Sequence, residues 1–208
     1  MKTTILLLLM MLTLSVFSQE TVTIGTQTWM KQNLNTGIMG IDKDCYNNLE
    51  SNCAVYGGLY GWDQLMITNE GDQGICPTGF HIPTKAEARQ LDVFLGGIIQ
   101  PDGQTSLSGT GGQKLKEAGY SHWTKMPMAV GTDAVGFTML PSGYKYGTYY
   151  SALKTAGYFW TSTSMYNGEG AWFRVTSYYK TNLGEYGVWK HDNAGGKASK
   201  LSVRCIKN

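Results

Sequence analysis

Between residues 21 and 34 apolar and polar positions alternate, TVTIGTQTWMKQNL, around Gly25, and this period of two predicts a β-hairpin carrying Trp29 and ending at Leu34. From Asn35 to Gly58 Asn, Gly and Asp dominate without a period, which predicts a loop. Tyr60, Trp62, Leu65 and Met66 follow at mixed spacing that fits either a short helix or an irregular core segment. The stretch GICPTGFHIPTKAEARQL, residues 74 to 91, is more legible. Cys76-Pro77-Thr78-Gly79 is turn chemistry, Phe80-His81-Ile82 is a short extended piece, and Pro83 keeps the residue before it out of helical geometry. Thr84, with Glu87 three residues later, carries the signature of a capping box. Ala86 to Leu95 then predicts an amphipathic helix with Leu91, Phe94 and Leu95 inward, stopped by Gly96-Gly97. A weaker helix is predicted from Gln113 to Ala118. Short strands are predicted at Gly136 to Pro141, Gly157 to Ser162, Ala171 to Val175, Glu185 to Trp189 and Leu201 to Ile206. No internal repeat is evident, and one compact α+β domain accounts for the pattern.

The first 18 residues stand apart. Lys2, an apolar run from Ile5 to Leu14 broken only by Thr13, and the small residues around Ser18 describe a secretory signal peptide over residues 1–18. That leaves 19–208 as an exported single domain. The run is too short to span a bilayer, and no later segment is apolar enough, so no membrane span is expected after signal removal. Export changes the reading of the four cysteines, because in an oxidising compartment two disulfides are the default. Three pairings are possible. The spacing favours Cys45–Cys53 as a local clip and Cys76–Cys205 as a tie from an early segment to the terminal strand. A metal site would need clustered cysteines or nearby histidines, and the spacing offers neither.

Composition adds two points. The 27 glycines, 13 tyrosines and 6 tryptophans of the 208 residues describe a turn-rich chain with much aromatic surface. The formal charge is only +2 and the lysines form no run, which argues against a nucleic-acid partner.

Several stretches, in order, resemble the Fibrobacter succinogenes major paralogous domain family. They are Thr23-Ile24-Gly25-Thr26-Gln27-Thr28-Trp29-Met30, Ile75-Cys76-Pro77-Thr78-Gly79-Phe80-His81-Ile82-Pro83-Thr84, Leu140-Pro141-Ser142-Gly143-Tyr144, Phe159-Trp160-Thr161-Ser162-Thr163 and Ser202-Val203-Arg204-Cys205-Ile206. The resemblance implies a C-type lectin-like fold related to the formylglycine-generating enzymes: small mixed or antiparallel sheets, one or two helices, long irregular loops and termini brought together. It also implies an exported protein of a Bacteroidetes-type bacterium. Ala88 stands where the family usually has Trp, so its space must be filled by other side chains.

Catalytic patterns are weak. Gln100-Pro101-Asp102 resembles a galactose-selecting lectin tripeptide, but it directly follows the first helix and the oxygen ligands of a calcium site cannot be assembled around it. Ser108 to Lys114 lacks phosphate-loop spacing. His81, His122 and His191 share no ligand spacing, and His81 reads as a hydrogen-bonded structural residue. No cofactor is expected. Twelve Tyr and Trp residues fall between positions 144 and 189, interleaved with Asn and Ser, and these residue types supply stiff contact area and adaptable hydrogen bonds. Alternation buries Phe159, Trp160 and Phe173. It leaves Tyr149, Tyr166, Tyr178, Tyr179 and Trp189, with Asn167 and Asn182, as candidate binding residues. The expectation is a non-enzymatic recognition module for a glycan or a surface protein. The alternatives are a structural or adhesion component of the envelope and, requiring a free thiol, an enzyme on the formylglycine-enzyme scaffold.

Overall fold

The computed structural model describes residues 19–66, 73–97, 109–165, 168–189 and 199–208. The expected hairpin forms, with β1 (Thr21–Ile24) paired to β2 (Gln27–Met30) so that Val22 faces Trp29. The turn needs Gly25, whose φ is +61° and whose missing side chain makes room for the Phe94 ring. The predicted loop from residue 35 to 58 contains a helix, α1 (Glu50–Tyr56). Only Cys53 and Tyr56 of that helix are buried, so its sequence carries little periodicity. The Cys45–Cys53 bridge clips α1 to the chain before it. The undecided segment resolves into β3 (Tyr60–Gly61) followed by a single helical turn, α2 (Trp62–Leu65).

Next come β4 (Phe80–His81) and α3 (Lys85–Phe94). The capping box is complete: Glu87 N–H donates to Thr84 Oγ1, and the Glu87 carboxylate accepts from Thr84 N–H at 2.8 Å. Leu91 and Leu95 point inward, whereas Phe94 is 56 % exposed. Phe94 leans over the Gly25 turn from the flank of the helix, which corrects its predicted place in the core. Ala88 is fully buried in a core with Trp29, Phe137 and Phe159, whose rings meet edge-on or tilted at 5.7 to 6.0 Å. The weaker helix is shorter than predicted, α4 (Gly111–Leu115).

The segment from Gly136 to Pro141 is not a strand. Thr138 adopts φ +52°, held by its N–H and hydroxyl donating to the Asp133 carboxylate, and only Met139 bridges, to Lys116. A hairpin the alternation did not reveal follows, β5 (Ser142–Tyr146) and β6 (Tyr149–Leu153). The predicted strands further on sit inside longer ones, β7 (Ala156–Met165), β8 (Gly170–Ser177) and β9 (Gly184–Trp189).

The terminal strand splits into β10 (Ser199–Leu201) and β11 (Ile206–Lys207) because the chain crosses there between two sheets. The sheets run β1-β2-β11-β4, β3-β10-β5-β6 and β7-β8-β9, with every strand pairing antiparallel. At the crossing, Cys205 is bonded to Cys76 with Cα atoms 6.0 Å apart. Arg204 is buried there: its guanidinium donates to the carbonyls of Met30, Lys31 and Phe137 and to Asn33 Oδ1, and lies 4.4 Å from the Phe137 ring centroid. The result is an α+β domain of antiparallel sheets with few helices.

Candidate binding face

Sheet β7-β8-β9 has two unlike faces, set by its register. Phe159, Arg174 and Glu185 lie opposite one another and point toward α3. Arg174 is wholly buried and bridges Asp92 of α3 and Glu185 of β9. Arg89 meets the same Glu185 carboxylate through two nitrogens at 2.8 and 3.0 Å, and Lys85 approaches it at 3.3 Å. Burial alone would raise the Glu185 pKa, but Arg89, Arg174 and Lys85 together pull it below the ordinary carboxylate value. The carboxylate therefore stays charged, and this face is locked to the helix.

The other face carries rings. Tyr158, Val175 and Gly184 align in one row, and Trp160, Phe173 and Tyr186 in the next. Trp160 is covered and donates its Nε1–H to the Tyr60 carbonyl at 2.8 Å. Beyond it, Tyr144 stands edge-on to Tyr158 at 5.5 Å, Tyr158 lies 6.0 Å from Phe173, and Phe173 stacks on Tyr186 at 6.0 Å with 28° between planes. A Cβ on Gly184 would come within 2.5 Å of the Tyr186 ring, so only glycine lets that ring lie flat against the strand. Tyr158, Phe173, Val175, Tyr179, Lys180 and Tyr186 line a depression of about 260 Å³. Burial, helped by neighbouring Tyr144 and Tyr179, pushes the Tyr158 hydroxyl up to about 12, so at neutral pH it is an uncharged donor and acceptor.

The candidate residues read from the sequence are scattered over more than this face. Tyr179 is 58 % exposed and lines the depression, while Tyr178 is half-buried and packs edge-on against it at 5.2 Å. Tyr149 is 70 % exposed but belongs to the β5-β6 hairpin in another sheet. Asn182 is only 9 % exposed, so its side chain is not presented to a partner. Its turn closes over α4, where the Asn182 carbonyl accepts from Thr176 Oγ1 and approaches so near Gly112 that a Cβ there would lie 2.2 Å away. The backbone of Trp189 pairs with Gly170, while its ring, together with Tyr166 and Asn167, lies outside the described residues. Tyr158, Phe173 and Tyr186 were not singled out as binding residues. The signal that finds them is the cross-strand register, which places Phe173 half-buried on the outer row.

The remaining polar clusters do structural work. His81 joins Glu87 at 2.9 Å and Asn208 at 2.7 Å, tying the start of α3 to the terminal strand. Cys45, Glu50 and Cys53 converge, but bridged sulfurs have no thiolate to offer a metal. Lys116 is 1 % exposed, and its ammonium donates to the carbonyls of Ala129, Ser177 and Lys180.

The sequence model of the Fibrobacter succinogenes major domain matches residues 22–207. The chain belongs to this family. No curated protein and no solved structure matches it. Within this Fibrobacter-type major domain, two of the five stretches that resemble the family, around Cys76 and around Arg204, meet at the Cys76–Cys205 bridge. No helix among the described residues is long and apolar enough to cross a membrane, and the two disulfides fit export into an oxidising compartment.

Proposed function

We propose that this domain is a non-enzymatic glycan-recognition module whose contact surface is the outer face of sheet β7-β8-β9. One observation carries the reading: Phe173 and Tyr186 stack beside Tyr158, Tyr179 and Lys180 around a shallow depression. Ring faces of this kind pack on the C–H face of a sugar, and the tyrosine hydroxyls and the lysine ammonium meet its hydroxyls. A C-type lectin-like assignment is part of the same reading, supported by the first and last strands sharing one sheet and by the scarcity of helices. All four cysteines are bridged, which disfavours the formylglycine-enzyme alternative, since that chemistry needs a thiolate.

A glycan array with the purified domain, followed by calorimetry on the best binder, tests this. Tyr186→Ala and Tyr179→Ala should each weaken a true ligand by about 5- to 100-fold, corresponding to about 1–3 kcal/mol per ring. Affinity unchanged in both variants, or capture of protein partners with no glycan bound, would overturn it.

A further inference from the structure

A second concavity of the described residues is not on the aromatic face. It is a groove of about 870 Å³ between the β1-β2 turn and α3. That is the size of a small-molecule site. Its wall is ordered by helical spacing. Lys85, Arg89 and Val93 line it at intervals of four residues, and Ala86, Gln90 and Phe94 follow the same rise one position on. Cations therefore occupy the N-terminal half of the wall and apolar side chains the C-terminal half, with about 12 Å of helix between Lys85 and Val93. Val93 and Phe94 are 46 % and 56 % exposed and open onto the groove.

The cationic end is under-neutralised. Lys85, Arg89 and Arg174 all converge on the one carboxylate of Glu185, and only Arg174 has a second carboxylate, Asp92. Arg89 uses Nε and Nη2 on Glu185, and its Nη1 has no hydrogen-bond acceptor among the described residues. Among the described residues Lys85 has Glu185 as its one anionic neighbour, and its ammonium otherwise rests 3.1 Å from the centroid of the Trp172 ring. Lys85 also occupies the first position of α3, where the helix dipole disfavours a cation. Burial and the charges of Arg89 and Arg174 depress its pKa against the pull of Glu185. A third anion in the groove would relieve each of these costs.

We propose that the groove between the β1-β2 turn and α3 is a second binding site, for a small carboxylate with an apolar body. The carboxylate is met by Lys85 and Arg89, and the body lies along Val93 and Phe94 against Ile24. The site is separate from the aromatic face and does not rest on the glycan reading.

The test uses 4-phenylbutyrate as the probe, with 4-phenylbutyramide and acetate as controls, titrated into the isotope-labelled domain and followed by amide chemical shifts. The phenylbutyrate should saturate with shifts confined to residues 24–27 and 84–94, and Trp172 emission should change alongside them. The amide and acetate should each bind about 10-fold or more weakly, since one lacks the charge and the other the body. Phe94→Ala, a substitution of an exposed side chain, should keep the fold and lose about 5-fold in affinity, and Lys85→Gln should shrink the acid's advantage over the amide by about 3-fold or more, Arg89 supplying what remains. No saturable shift up to about 10 mM, far weaker than a −4 kcal/mol interaction would give, would overturn the proposal. So would equal binding of acid and amide to the unmodified domain, or shifts centred on Tyr158 and Tyr186.

Discussion

Replacing both cysteines of one bridge by alanine at a time isolates what each covalent tie contributes. Cys45–Cys53 closes a separation of 8 residues and Cys76–Cys205 one of 129, while all four sulfurs are buried. Losses from burial and cavity formation are therefore similar in the two double variants and largely cancel on comparison. What remains is the difference in unfolded-chain freedom, which grows as 1.5 RT times the logarithm of loop length. For these two loops it comes to about 2.5 kcal/mol in favour of the long bridge. Urea unfolding of the oxidised parent and of both double variants at neutral pH reads this from midpoints at constant m-value. In a chain of this size the long-bridge variant should also melt about 5–10 °C below the short-bridge variant. Equal losses, or a larger loss from breaking Cys45–Cys53, would refute the loop-closure account and show that the long bridge acts through native contacts instead.

Two further outcomes follow from buried cations. Burial pushes the Lys116 ammonium down to about 8 from an ordinary 10.5, so above pH 8 the folded state sheds its proton before the unfolded state does. Stability should be insensitive to this group below pH 8 and rise by up to about 3 kcal/mol between pH 8 and 10.5. Lys116→Met should abolish that rise in urea midpoints measured from pH 7 to 10, and a parent-to-variant difference that stays constant across the window would refute it. Arg204→Met strands the Met30, Lys31 and Phe137 carbonyls and should cost about 3–5 kcal/mol, with Arg204→Lys intermediate because it lacks the planar fork; a loss below about 1 kcal/mol would show those carbonyls re-pair on their own.

The chain's local rules were legible where one residue type does one physical job. The Gly25 hairpin and the Thr84–Glu87 cap needed only turn chemistry and capping, and the two disulfides needed redox compartment for their number and spacing for their pairing. Long-range packing hid the rest. Helix α1 escaped notice because it buries just two side chains, and the Gly136 to Pro141 segment looked extended although Asp133 holds Thr138 in a left-handed conformation. Phe94 reads as core by its hydrophobicity, yet the β1-β2 turn, not the protein interior, is its neighbour. On the aromatic face, the sequence supplies rings in excess, and only strand register decides that Phe173 and Tyr186 stack while Asn182 is closed over by its own turn.

Arg204 fills carbonyl acceptors belonging to residues 30, 31 and 137, and Cys205 reaches back to Cys76. The early hairpin cannot complete its polar pairing until the last residues of the chain have been made, because its partners arrive last. Closure of this domain is thus the last step of its folding, and a chain cut short of residue 204 would lack both the guanidinium that fills those carbonyls and the sulfur that reaches Cys76.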